Sequence, residues 1–211
     1  MITRLLVTAN VVAFIWEVAV GKMNALSGAF PDTSPIYNFV LAPIQVTQAH
    51  EYYRIFTCGF MHAGLLHIAV NMFSLWSLGF FLERILGAPR MVLIYFVSLL
   101  GAGLGVVYFS DPTIPTLGAS GAIFGLFGAL FAMGLKLGKP GMQLVRANIG
   151  ILILNLFFTF TIATISKQAH VAGLITGFII TFLIFYPPKP VYARVVDATT
   201  GETLESRIEQ P

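Results

Sequence analysis

Charge is scarce in this chain. Of its 211 residues, 9 are acidic and 12 are Lys or Arg, so charged residues make up 10% against 57% hydrophobic ones. With a mean hydropathy of +0.85, that balance excludes an ordinary water-soluble domain and marks an integral membrane chain. Cysteine is almost missing as well. The lone Cys58 excludes an internal disulfide, says nothing of redox compartment, and reads as a small apolar filler. The net charge of +3 is no more than a few basic cytoplasmic loops supply, so nucleic-acid binding is not expected. No H-E-x-x-H is present, which removes the usual helical zinc-protease pattern. No metal and no cofactor is expected.

What the chain has instead is long apolar runs. A span needs about 20 mainly apolar residues to cross the hydrocarbon, and six stretches qualify: 4–20, 63–84, 90–109, 119–136, 146–165 and 168–186. The first resembles a signal peptide, with Arg4 before an apolar run ending in Ala19, Val20 and Gly21, but Glu17 interrupts the apolar region. A retained helix is therefore expected. Residues 1–186 read as one all-α, six-helix membrane domain. After Tyr186 the run "PPKP" ends the last helix, because proline cannot continue the ladder. Residues 187–211 form a short polar tail, expected to be a hairpin or disordered.

Basic residues orient the bundle. With the N-terminus inside, Arg4, Arg84, Arg90, Lys136, Lys139, Arg146, Lys189, Arg194 and Arg207 are cytoplasmic, leaving Lys22, Arg54 and Lys167 outside. The positive-inside rule then favours cytoplasmic N- and C-termini in a cell (inner) membrane. In this orientation the second, fourth and sixth spans all run inward, so their first turns share one level near the outer face. His67 and Asn71, Ser120 and His170 fall in those turns. Polar side chains are costly in a bilayer unless they face one another or a wet cavity, so their common depth predicts a shared polar pocket.

Small residues say whether they can meet. Gly121 and Gly125 make a G-x-x-x-G in the fourth span, and Gly173 and Gly177 make another in the sixth; such faces let helix backbones approach closely. That approach brings Ser120 towards His170. Serine becomes a nucleophile when a neutral imidazole takes its proton, and His170 is the candidate base. The N–H groups around Ala119 and Ser120, at a helix start, can face a developing oxyanion. His67 and Asn71, four apart on one helical face, can add donors, and Gly118 permits the turn that exposes the serine.

With these pieces in order, the chain resembles the rhomboid family of intramembrane serine proteases. The resemblance rests on "YRIFTCGFMH", on "HAGLLHIAVN" with His62, His67 and Asn71, on "GASG" with Ser120, and on "AHVAGLITG" with His170, Gly173 and Gly177. It implies a Ser120–His170 dyad without a catalytic acid, and no Asp or Glu lies in the last three spans. It also implies oxyanion support from His67 and Asn71 with His62 beside them, and substrates that are single-span membrane proteins cut near the outer end of the helix at small residues. Two positions depart from the family pattern. Phe124 stands where a tyrosine is common beneath the histidine, and Tyr53 precedes Arg54 where tryptophan is common.

Plainer roles exist for each residue. Ser120 could be a helix N-cap, His170 an interhelical hydrogen-bonder, and His67 with Asn71 a polar glue between helices. Glu17, Glu51 and Asp111 read as solvated or interfacial. A metal or haem site built on His62, His67 and His170 is disfavoured by the five-residue spacing of the first two, about 140° round a helix. A non-catalytic rhomboid-like protein that binds transmembrane helices would lack the nucleophile or its base, and both are here.

Residues 21–61 are too long for a plain connector and are expected to hold interfacial helices such as "PIYNFVL". The fifth span has no glycine between Ile151 and Ser166, unlike the fourth. It is expected to pack loosely and, with "TISKQ" (Thr164 to Gln168), to act as the gate through which a substrate helix enters from the lipid.

Overall fold

The computed structural model describes residues 1–21, 34–162, 165–187, 191–196 and 203–208. Helix α1 (Ile2–Gly21) is followed, from residue 34, by an outer segment of short pieces: a 3-10 helix (Pro35–Phe39), α2 (Pro43–Thr47), α3 (Arg54–Thr57) and a second 3-10 helix (Cys58–Phe60). Then come α4 (Leu65–Leu86), α5 (Ala88–Phe109), α6 (Ser120–Leu137), α7 (Lys139–Ala147), α8 (Ile149–Thr161) and α9 (Lys167–Ile184). Strands β1 (Val191–Val196) and β2 (Thr203–Ile208) pair antiparallel after the bundle, with Val191 opposite Ile208. The tail thus takes the hairpin alternative, and its connecting residues 197–202 lie outside the described ones.

Helices α1, α4, α5, α6 and α9 are each long and apolar enough to cross a membrane. The fifth expected span is different. In place of one helix over 146–165, α7 and α8 meet at 53°. The break falls at Asn148, whose N–H turns back to Val145 O and whose side chain donates to Leu144 O at 2.9 Å. Helix α7 folds back on α6, where a Cβ on Gly141 would lie 2.6 Å from Gly134 O. Of "TISKQ", Thr164 lies outside the described residues, and Lys167 with Gln168 already belongs to α9. Ser166 caps that helix by accepting from Ala169 N.

Helix α6 is the axis of the bundle. Its span is 72% buried, against 28% for α1 and for α9, so the other helices shield it from lipid. Its glycine face lies directly on that of α9. A Cβ on Gly173 would stand 2.1 Å from Gly121 O, and one on Gly177 would stand 2.0 Å from Gly125 O. Side chains at these positions are excluded, and dispersion contacts between the two backbones take their place. Beside this pair α5 closes the third side, with Gly105 against Ala172 and Gly101 against Thr176.

The few buried polar groups tie segments together. The Glu83 carboxylate at the end of α4 accepts from Ile2 N, Thr3 N and Thr3 Oγ1 at 2.7–2.9 Å, capping the start of α1 where free N–H groups favour an anion. Arg54 is almost wholly buried; its guanidinium donates to Tyr37 O and Val40 O and pairs with Glu51. It holds the outer segment in place, with the Tyr53 ring against it in a cation–π contact. One expectation is corrected here. Glu51 keeps a partly exposed side chain while pairing with Arg54, but Glu17 is fully buried, both Oε atoms accepting from His62 N at 3.0 and 3.2 Å. Of "PIYNFVL", residues 35–39 form the 3-10 helix, while 22–33 of the same outer segment lie outside the described residues.

Candidate active site

The turn before α6 decides the geometry. Gly118 has φ +122°, a region that side chains rarely enter, and its N–H bonds to Cys58 O at 2.9 Å. A Cβ there would also lie 2.8 Å from two atoms of the His67 ring, so the position requires glycine twice over. Ala119 is the N-cap of α6 and Ser120 its first residue. Ser120 is therefore not the cap. Its Oγ meets His170 Nε2 at 2.7 Å.

His170, near the start of α9, is almost fully buried. Phe124, one turn below Ser120, stacks on the imidazole with centroids 4.1 Å apart and planes 12° from parallel. On the edge of the ring, Nδ1 lies 2.8 Å from Thr159 Oγ1, and Thr159 Oγ1 in turn donates to Asn155 O at 2.7 Å. Asn155 Nδ2 reaches across to Ser74 Oγ at 2.7 Å. A polar file thus runs from α4 through α8 to His170 and Ser120.

The donors expected for an anion stand around the same serine. His67 Nδ1 accepts from Ala63 N at 3.2 Å, so in the neutral ring Nε2 carries the hydrogen, on the side that faces Gly118. Asn71 Nδ2 is buried with no partner among the described residues. A buried amide donor left unsatisfied costs about 1–3 kcal/mol, a cost that a ligand oxygen would remove. The first N–H groups of α6 complete the set, since a helix start has no intrahelical acceptors for them.

His62 takes a different place from the one that helical spacing implies. It lies in the turn before α4, so its ring meets His67 edge-on at 5.2 Å rather than facing away. Its Nδ1 is bonded to Phe60 O, and burial, with His67 beside it, pushes the imidazole down to about 3. Burial thus favours its neutral form beside His67. Among the described residues, no three His, Cys, Asp or Glu side chains converge on one point.

Ser120 opens into a cavity of about 720 Å³ lined by His67, Asn71, Leu41, Val106, Leu117 and Ile162 among others. Cys58 lines it too, but burial pushes its thiol up to about 12. Only the thiolate is a strong nucleophile, so Cys58 is held in its unreactive form. The sequence profile of the Rhomboid domain matches residues 49–187, a stretch that includes His67, Asn71, Ser120, Thr159 and His170. This chain belongs to the rhomboid family.

Among its rhomboid relatives, the chain is similar to rhomboid protease GluP of Bacillus subtilis, 32% identical over 170 residues, which are 80% of this chain and 33% of that protein. RHOMBOID-like protein 1 of Arabidopsis thaliana is 34% identical over 70% of this chain and 38% of its own length. Rhomboid protease GlpG of Klebsiella pneumoniae is 33% identical over 71% of this chain and 54% of its own. The chain thus spans between a third and about half of these proteins. The family and its apolar helices make it a multi-pass membrane protein.

Sequence reasoning passed over three residues at this rhomboid site. Thr159 and Asn155 sit among the phenylalanines and isoleucines of α8 and look like incidental polar residues, while Glu17 reads as interfacial. Buried polarity inside a span was the available signal; their partners were not.

Proposed function

We propose that this rhomboid is an intramembrane serine endopeptidase, with Ser120 as nucleophile and His170 as base. The observation that carries the reading is the 2.7 Å contact of Ser120 Oγ with His170 Nε2 beside an unpartnered Asn71 amide. A helix-binding protein without catalysis has no need of a serine hydroxyl held on an imidazole nitrogen at the edge of a cavity.

In this mechanism Oγ attacks the scissile carbonyl carbon as His170 Nε2 takes its proton. The carbonyl oxygen becomes anionic and accepts from His67 Nε2–H, the Asn71 amide and the N–H groups at the start of α6. His170 then gives its proton to the leaving amine, and the acyl chain stays on Ser120. Water, deprotonated by the same imidazole, releases the acyl product and restores the serine. The histidines, amide and backbone dipoles are fixed before reaction, so they stabilise the anion without reorganising.

The substrates are single-span membrane proteins, cut at small residues near the outer end of the helix. The apolar cavity wall suits a chain emerging from lipid. Both termini are cytoplasmic and the site lies towards the outer face of the cell membrane. Residues 1–186 are the catalytic membrane domain, with 187–211 a cytoplasmic appendage. Helix α8 is the gate: its side chains Ile153, Phe157 and Phe160 are exposed on the outside of the bundle, and it lacks the glycine contacts that lock α6 to α9.

A fluorophosphonate probe tests the reading. Adduct on Ser120 alone, lost in Ser120→Ala and His170→Ala, is expected of the purified protein in detergent. A folded sample that takes no label would favour a non-catalytic protein that binds transmembrane helices.

A further inference from the structure

We propose that Thr159 is a positioning residue that fixes the tautomer of His170, so that seating α8 against the bundle arms the base. The proposal rests on the reading of Ser120 and His170 as nucleophile and base, and it concerns what decides whether that base can act.

The argument is a count of hydrogens. Thr159 Oγ1 lies 2.7 Å from Asn155 O. A carbonyl oxygen has only lone pairs, and two oxygens at that separation repel unless a proton lies between them. The single hydroxyl hydrogen of Thr159 is thereby committed. The same Oγ1 lies 2.8 Å from His170 Nδ1, and a hydroxyl whose hydrogen is spent can only accept. Nδ1 must therefore carry the ring proton. A neutral imidazole has one N–H, so Nε2 is bare, and Nε2 is the atom facing Ser120 Oγ at 2.7 Å. The opposite tautomer would offer the serine a donor and could take nothing from it.

The other contacts of His170 do not make this choice. Phe124 lies against the face of the ring and restrains its plane, but a stack does not distinguish one nitrogen from the other. A buried carboxylate would do so, and among the described residues none is hydrogen-bonded to this ring. A threonine supplies the same directional acceptor without a charge, which suits a group enclosed at membrane depth.

Thr159 belongs to α8, not to either helix that carries the dyad. Among the described residues, helix α8 reaches the bundle through two long-range side-chain hydrogen bonds, Asn155 to Ser74 and Thr159 to His170. When α8 swings outward to admit a substrate helix, both are lost and the Nδ1–H tautomer loses its acceptor. Return of α8 restores it. Entry and chemistry are thereby ordered in time: the base works once the gate has closed on its substrate.

Ring 15N NMR of the full chain in micelles, with labelled histidine, tests this in the wild type, Thr159→Val and Thr159→Ser. Valine keeps the shape and removes the acceptor; serine keeps the acceptor. The wild type and Thr159→Ser are expected to show a protonated Nδ1 and a bare Nε2 at His170, and Thr159→Val a shift towards the other tautomer. Thr159→Val should also lower kcat about 10- to 100-fold with KM within about twofold, as when the orienting partner of another imidazole is removed, and Thr159→Ser should recover most of it. A wild-type ring protonated on Nε2, or ring shifts and kcat unchanged in Thr159→Val, would overturn the proposal. The spectrum needs no substrate. A wild type with the expected tautomer but neither cleavage nor fluorophosphonate labelling would sink the protease reading and still support the Thr159 assignment.

Discussion

Ser120 Oγ and His170 Nε2 meet at 2.7 Å across 50 positions of chain, and glycine makes the meeting possible. The carbonyls of Gly121 and Gly125 occupy the space that side chains at 173 and 177 would need. Backbone cannot rotate away as a side chain can, so any Cβ there separates the helices.

Gly177→Ala is expected to lower thermal stability in detergent, overpacking costing about 1–3 kcal/mol, and to cut cleavage of a single-span reporter by roughly 100-fold, the loss typical of a 1 Å misplacement. Gly150→Ala is the control, because nothing lies within 4 Å of its Cβ. It should be neutral or raise stability by about 0.5–1 kcal/mol through helix propensity. Equal effects of the two substitutions would refute the packing argument.

Asn71 separates function from stability. Its amide nitrogen is buried without a partner, so Asn71→Ala should leave the melting temperature unchanged or higher. Loss of an oxyanion donor should reduce kcat by about 100- to 1000-fold, with little change in KM. Thermal melts and steady-state kinetics on one preparation check both halves; a variant that melts lower and turns over normally contradicts both.

Glu17 acts through His62. Its carboxyl oxygens accept from His62 N–H, three residues before α4 begins. Glu17→Gln keeps an acceptor and should be nearly silent, whereas Glu17→Ala leaves a buried N–H unsatisfied and should cost about 1–3 kcal/mol. Denaturation in detergent distinguishes this pairing from a purely ionic role, in which the two variants would be equally damaging.

The gate predicts a split between probes. With Cys58 replaced by Ala, a cysteine pair at Ser74 and Asn155, whose side chains now touch across α4 and α8, can be joined by oxidation or a short crosslinker. Joining should abolish cleavage of a transmembrane substrate while leaving a small fluorophosphonate able to label Ser120. Undiminished cleavage would rule out α8 as the entry route.

Much of this site was legible before any coordinates. Six apolar runs, the common level of His67, Asn71, Ser120 and His170, and the paired G-x-x-x-G faces are properties of single segments, because burial cost and helical spacing act locally. From them came the all-α rhomboid bundle and the closeness of α6 to α9. The break at Asn148 was less visible, since an asparagine between apolar runs carries no fixed backbone meaning, and Asn10 and Asn155 sit inside unbroken helices.

What the tertiary structure alone decided is which ordinary residue became a partner. Thr159 at His170 Nδ1, Glu17 at His62 N and Ser74 at Asn155 are pairings between helices or between helix and turn. Their residue types are common and their sequence separations unremarkable. Composition and periodicity determine that a span lies in the membrane and which face is small; the rotation and depth of one helix against another determine where a hydroxyl or carboxyl finds its proton. That rotation is set by the summed packing of the whole bundle, so the polar file that reaches His170 has no local signature in the chain that encodes it.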